Sequence, residues 1–109
     1  MKYKYGEFTQ NQIALTKAKI RKQIFFLLLI VDPDTKAQYE GTDPIAAIEN
    51  LQWFIAGFNE LLNHPQELVT IASLLSAALI EYTSPDFTFG KYRKFVLDAG
   101  NEVLKIKEV

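Results

Sequence analysis

The sequence lacks cysteine altogether and contains a single histidine, His64. Without cysteine, the chain has no disulfide framework, no thiolate zinc site and no cysteine nucleophile. Its longest apolar run, residues 24–31, is eight residues long, whereas a membrane-spanning helix needs about 20. The first ten residues are charged and aromatic, unlike a secretory signal segment, which has an apolar centre. We therefore expect a cytoplasmic protein without a membrane span.

Lysine and arginine are absent from the middle of the chain, residues 37–90, which carries seven acidic residues. Residues 1–36 contain seven Lys or Arg residues and three acids, and residues 91–109 contain five and three. The net charge is only −1, because these segregated charges nearly cancel. A long acidic stretch argues against general nucleic-acid binding, which needs a basic surface.

Short breaks that contain proline or glycine divide the 109 residues into four segments of helical length. Within each segment, apolar residues recur at spacings of three, four or seven, which is typical of amphipathic helices. Short connections between such helices favour antiparallel neighbours. We therefore predict a single all-α domain over residues 1–109, an antiparallel four-helix bundle with residues 1–8 as an extended arm. The predicted helices span residues 10–31, 44–62, 65–82 and 89–107.

The core is predicted from the same periodicity. The last two turns of the first helix are apolar on all sides and should be deeply buried. Asp43 or Thr42 is the predicted N-cap of the second helix, because proline, here Pro44, is favoured in a first helical turn. The predicted core residues are Ile13, Ile20, Ile24, Leu27, Val31, Ile48, Leu51, Ile55, Phe58, Leu62, Leu68, Ile71, Leu75, Ala78, Leu79, Tyr82, Tyr92, Phe95, Val96, Ala99, Val103 and Ile106.

The apolar run LLIV at residues 28–31 leads directly into Asp32, Pro33 and Asp34. An apolar strand that ends in two aspartates one residue apart resembles the nucleophile motif of haloacid-dehalogenase-type phosphotransferases. The resemblance implies an α/β fold with residues 24–31 as a strand, Asp32 as nucleophile and Asp34 as acid/base near Mg²⁺. We favour a helix end followed by a Pro-Asp turn, because no further parallel strands are predicted downstream. The α/β fold is therefore the second choice, and we predict no catalytic residue.

His64 lies between Glu60 and Glu67, at a spacing that can present three metal ligands. Pro65 breaks the helix between them, and a histidine flanked by two acids is a common surface combination. We predict a surface histidine at a turn, with no metal and no cofactor.

Lys17, Lys19, Arg21 and Lys22 form the basic patch of the first helix. On a helix, Lys17 and Arg21 share a face, whereas Lys19 and Lys22 point away from it. A phosphate-binding patch is one interpretation. We favour a solvated face that balances the acidic middle of the chain, and nucleic acid is not an expected partner.

Two features of the second and third helices indicate a protein partner. The third helix is almost free of charge beyond its first turn, and a helix that is apolar all round is either central or covered by another chain. Trp53 projects away from the core stripe of the second helix, and tryptophan often anchors interfaces. The alternative is that the N-terminal arm or the loop at residues 32–41 covers Trp53 within the same chain, and we favour self-association slightly. Together with the aromatic loop that follows the third helix, the predicted interface residues are Trp53, Val69, Ser73, Ala77, Ile80, Phe87 and Phe89.

The sequence therefore favours a small, non-enzymatic protein-interaction domain that self-associates as a homodimer or another homo-oligomer. A regulatory protein of the toxin- or bacteriocin-immunity type is an alternative, by analogy with the size and fold of compact acidic bundles. A phosphotransferase that uses Asp32 and Asp34 is the third hypothesis. No spacing in the sequence identifies the partner.

Overall fold

The computed structural model of the protein describes residues 10–62 and 65–106. These residues form α1 (Gln10–Leu29), α2 (Pro44–Leu61), α3 (Gln66–Thr83) and α4 (Phe89–Val103), with a short 3-10 helix at Lys36–Tyr39 between α1 and α2. No strand occurs among them. α1 packs against α2 and α4, and α3 packs against α2 and α4, so the helices close around a shared core. The prediction of an antiparallel four-helix bundle is confirmed.

One apolar core connects all four helices. The predicted core residues are buried except Leu79, Tyr82 and Phe95, which are half-buried against the same core. Within the described ranges, no polar or charged residue is buried. Removing apolar surface from water stabilises the folded state by about 25 cal/mol per Å². Burial of this core is therefore the main contribution that holds the helices together.

The alternative α/β fold is wrong, because residues 24–29 continue α1 and residues 30–31 form a turn. The deep burial predicted for this run is only partly seen, because Ile30 and Val31 are buried whereas Leu29 is 39% exposed. α1 ends at Leu29, slightly before the predicted end at residue 31. Asp32 precedes Pro33, and the residue before a proline disfavours the helical conformation. The N–H groups of Val31 and Asp32 therefore both donate to the Leu28 carbonyl, which forms a turn.

The start of α2 follows the predicted capping pattern. Asp43 is the N-cap, and its Oδ1 accepts a hydrogen bond from the Ile45 N–H at 3.0 Å. Pro44 occupies the first helical position, where its missing N–H costs no helical hydrogen bond. The structure therefore selects Asp43 over Thr42.

α4 ends at Val103, before the predicted end at residue 107. The N–H groups of Leu104 and Lys105 donate to carbonyls three residues back, at 3.2 and 3.0 Å, which tightens the chain to 3-10 geometry. The ammonium of Lys17 on α1 donates to the Ile106 carbonyl at 2.6 Å. A side chain of α1 therefore holds the carbonyl end of α4, where backbone acceptors lack helical partners.

The basic and acidic segments of the sequence fold into different pairs of helices. α1 contains lysine and arginine but no acidic residue, whereas the charged residues of α2 and α3 are all glutamates. α1 lies beside the mostly basic α4, and α2 lies beside α3. One side of the bundle is therefore basic and the other is acidic.

Candidate functional site

Four of the predicted interface residues lie on the outer side of α2 and α3. Trp53 of α2 is 79% exposed, and Ile80 and Val69 of α3 are 70% and 41% exposed. Ser73 of α3 is also exposed. We call this surface the α2–α3 outer face, which consists of the exposed residues Trp53, Ala56, Val69, Ser73, Ser76 and Ile80, with Glu49 at its border beside Trp53.

Helical periodicity turns these side chains away from the core. On α3, the exposed positions 69, 73, 76 and 80 lie opposite the buried positions 68, 71, 75 and 78. On α2, Trp53 lies opposite the buried stripe that contains Leu51 and Ile55. The amide Nε2 of Gln52 donates to the Ser76 hydroxyl at 3.2 Å. This hydrogen bond joins the two helices directly beside Trp53.

The α3 half of this face is free of charge. Between Glu67 in the first turn and Glu81 near its end, α3 contains no charged residue. The Glu81 carboxylate is engaged elsewhere, since its Oε2 accepts a hydrogen bond from the Thr88 N–H at 2.9 Å. An apolar surface without charges gives up little hydration when another protein covers it, which is the property of an interface centre.

The aromatic side chains of the segment between α3 and α4 are less exposed than those of the α2–α3 outer face. Phe87 and Phe89 are half-buried, and so is Ala77 on α3. The Phe87 ring centroid lies 5.5 Å from that of Tyr82 and 6.1 Å from that of Tyr92. Phe89 lies 6.3 Å from Tyr92. We call Tyr82, Phe87, Phe89 and Tyr92 the α3–α4 aromatic cluster, and its ring spacings are those of stabilising aromatic pairs.

Tyr92 is fully buried, and its hydroxyl donates to the Leu27 carbonyl at 2.7 Å. This carbonyl lies in the last turns of α1, where carbonyls lose their helical N–H partners; the Val31 N–H donates to Leu28 instead. Burial, together with the neighbouring Tyr82, raises the pKa of Tyr92 well above its usual range. No sequence signal connects residues so far apart, so this contact could not be predicted from the sequence.

The structure spreads the predicted basic patch over different sides of α1. Lys17 reaches the end of α4, whereas Lys19 lies over a phenylalanine ring of α2. The Arg21 guanidinium lies over the Phe25 ring, 4.8 Å from its centroid. Lys22 is exposed. Lys17 therefore lies apart from the other three cations, and Arg21 borders the same surface groove as Lys19 and Lys22 and does not share a face with Lys17.

A groove of about 790 Å³ runs along the outer side of α1. We call it the α1 groove. Tyr39 of the 3-10 helix also borders it, and the Tyr39 ring meets the Phe26 ring edge-on with centroids 5.3 Å apart. Three cationic side chains of α1 are followed by three apolar ones along its wall: Lys19, Arg21, Lys22, Phe25, Phe26 and Leu29.

Gly100 on α4 makes room for one wall of this groove. A Cβ atom at position 100 would lie 3.1 Å from Cε1 and 3.2 Å from Cζ of Phe25, closer than ordinary van der Waals contact. The missing side chain lets Phe25 pack closely against α4, and Phe25 in turn supports Arg21. The role of Gly100 could not be predicted from the sequence, because a glycine within a helix does not reveal which neighbour approaches it.

Asp32 and Asp34 form a turn at the end of α1. The Asp32 Oδ1 accepts a hydrogen bond from the Asp34 N–H at 2.9 Å, which is an Asx turn. The Thr35 hydroxyl donates to the Leu29 carbonyl at 2.7 Å. These bonds cap α1 and match the favoured Pro-Asp turn. The strand that the phosphotransferase resemblance implies is replaced by a helix.

Within residues 10–62 and 65–106, no group of three His, Cys, Asp or Glu side chains is arranged to hold a metal ion. His64, the candidate ligand, and the arm predicted for residues 1–8 lie outside the described residues. None of the helices in the described part of the chain combines the length and apolar character that crossing a bilayer requires.

Function therefore has to be inferred from the side chains that the fold exposes and holds in place. Two surfaces stand out, the α2–α3 outer face and the α1 groove. Comparison of the chain with protein-family models, with curated proteins and with solved structures gave no match.

Proposed function

We propose that this chain is a non-enzymatic protein-interaction domain that self-associates through the α2–α3 outer face. The observation that carries the proposal is Trp53, whose side chain is 79% exposed in the middle of α2. Its large apolar ring can bury much surface at little cost in conformational entropy, and tryptophan is enriched among the residues that dominate binding energy.

The α2–α3 outer face groups several exposed apolar side chains. Of the seven large apolar residues that are exposed in the described part of the chain, three belong to this face: Trp53, Val69 and Ile80. Scattered apolar residues are normal on a protein surface, but a grouped set marks an interaction site. The grouping therefore favours binding through this side of the bundle.

A second copy of the chain suits this face as a partner. Two charge-free α3 surfaces can meet without burying like charges, which would cost several kcal/mol. The small side chains of Ser73 and Ser76 lie between Val69 and Ile80, and they leave room for the ridges of a second helix. An isologous contact would place both copies of Trp53 in one interface.

Sedimentation velocity over a range from low to high micromolar protein tests this proposal. We expect a concentration-dependent dimer, and we expect Trp53→Ala and Ile80→Glu each to weaken it by about tenfold or more. Leu15→Glu is the matched control, because Leu15 is 72% exposed but lies on α1. It should leave the dimer unchanged.

A chain that stays monomeric at every concentration would contradict self-association. So would a dimer that Leu15→Glu disrupts as strongly as Ile80→Glu, since the contact would then involve α1. Urea unfolding of each variant checks that a lost dimer does not reflect a lost fold.

A further inference from the structure

We infer that the α1 groove binds a single-chain anionic amphiphile, in which a carboxylate or phosphate head group is joined to an apolar tail. The amphiphile binds as one molecule and not as a micelle. The groove volume of about 790 Å³ falls within the range of about 300–1,000 Å³ that is usual for small-molecule sites. The groove is formed by α1 and the 3-10 helix, so it is separate from the α2–α3 outer face.

Among the residues that the structure describes, the cations of the groove have no acidic partner. Lys19, Arg21 and Lys22 border it, and α1 contains no acidic residue. Among the described residues, none of the three cations forms an ion pair. Uncompensated positive charge beside an apolar surface attracts anions and rejects cations, so the head group of the ligand is expected to be negative.

Aromatic rings hold two of these cations in place. The Lys19 Nζ lies 5.0 Å from the Phe54 ring centroid, and the Arg21 guanidinium carbon lies 4.8 Å from the Phe25 centroid. The Arg21 Nε is buried and lacks a hydrogen-bond partner within the described residues, so the stem of this side chain is packed. A cation that is already positioned loses less side-chain entropy when it binds an anion.

The apolar wall distinguishes an amphiphile from a simple anion. Phe25, Phe26 and Leu29 follow the cations along α1, and Tyr39 closes one side. Leu29, the last residue of α1, is 39% exposed. Inorganic phosphate would leave this wall in contact with water, whereas an alkyl tail would cover it and gain affinity with each methylene buried.

Isothermal titration of the full chain with dodecanoate, octanoate and dodecyltrimethylammonium, each below its micelle concentration, tests the inference. We expect saturable binding of dodecanoate, weaker binding of octanoate, and none of the cationic amphiphile. Lys22→Glu should weaken dodecanoate binding by about tenfold, because a charge-assisted contact is replaced by repulsion. Backbone amide shifts in NMR spectra should map to α1 and Tyr39.

Lys91→Glu is the matched control, since it makes the same charge change at an exposed residue of α4 outside the groove. An acid in the first turn of a helix does not destabilise it, so the fold should persist and dodecanoate should bind as in the wild type. Equal loss in both variants, or equal binding of the cationic amphiphile, would overturn the inference.

Three other results would also overturn it: no binding of dodecanoate, binding only to vesicles that contain anionic lipid, and binding only to an acidic peptide. The last two would assign the same cations to a membrane surface or to a protein. The sedimentation experiment does not depend on these outcomes, because Trp53 and Ile80 lie outside the groove.

Discussion

Tyr92 and Trp53 are aromatic residues of the same bundle with opposite surroundings. Tyr92 is fully buried, lies among the rings of the α3–α4 aromatic cluster and donates to the Leu27 carbonyl. Trp53 is 79% exposed beside a hydrogen bond that joins α2 to α3. The difference shows that residue type alone does not determine whether an aromatic side chain packs in the core or stays exposed.

The largest expected effect is that of Tyr92→Ala on stability. It removes a buried ring and leaves the Leu27 carbonyl without its donor, so the free energy of unfolding should fall by about 3–5 kcal/mol. Urea unfolding followed by circular dichroism measures this loss. A loss below about 1 kcal/mol would break the comparison, because Tyr92 would then contribute no more than a surface residue.

Phe87→Ala is a second variant in the same cluster. Phe87 is half-buried and contacts Tyr82 and Tyr92 edge-on, so its removal should cost about 2 kcal/mol, less than the removal of Tyr92. Neither variant should change the dissociation constant of the dimer under conditions where it is folded. An equal cost at both positions would show that burial does not rank these rings.

Tyr92→Phe separates the hydroxyl from the ring. Loss of the donor to a buried carbonyl should cost about 1–3 kcal/mol at neutral pH. Burial raises the pKa of Tyr92 above the ordinary value of 10.0. Above that pH the unfolded chain releases this proton while the folded chain keeps it, so wild-type stability should fall with rising pH by up to about 1.4 kcal/mol per unit.

The difference in stability between the wild type and Tyr92→Phe isolates this effect, because the other titrating groups are common to both. Urea unfolding from about pH 8 to about pH 11, a range that spans the ordinary tyrosine pKa, should show the difference shrinking as the pH rises. A stability difference that stays constant with pH would mean that the pKa of Tyr92 is the same in the folded chain as in the unfolded chain.

The smallest expected effect on stability is that of Trp53→Ala. An exposed side chain contributes little to the folded state, so the free energy of unfolding of the monomer should change by no more than about 0.5 kcal/mol. Urea unfolding at low protein concentration, where the dimer is dissociated, checks this value. A loss of stability as large as that of Phe87→Ala would show that Trp53 stabilises the fold. The contact residues would then be expected elsewhere on the surface.

Much of the fold follows from local sequence. Pro44 with Asp43 places the start of α2, and the stripe from Ile48 to Leu62 identifies its buried side. The ends of α1 and α4 were less predictable. Periodic apolar residues continue to Val31 and Ile106, but the helical hydrogen bonds stop earlier, at turns that still bury these side chains.

The candidate surfaces were predicted only in part. Trp53 and Ile80 were identified because a helix with one core stripe must turn its opposite side outward. Phe87 and Phe89 were predicted as interface residues together with them, yet they pack around Tyr92. A loop has no periodicity from which to read the direction of a side chain, so these two rings could not be distinguished from Trp53 beforehand.

Helix number, core composition, capping and charge segregation are encoded by residues close together in the chain, and sequence was sufficient for them. The contact of Phe25 with Gly100 and the bond from Tyr92 to Leu27 depend on how α1 and α4 are rotated and spaced. That arrangement results from the packing of all four helices at once, and no single helix specifies it.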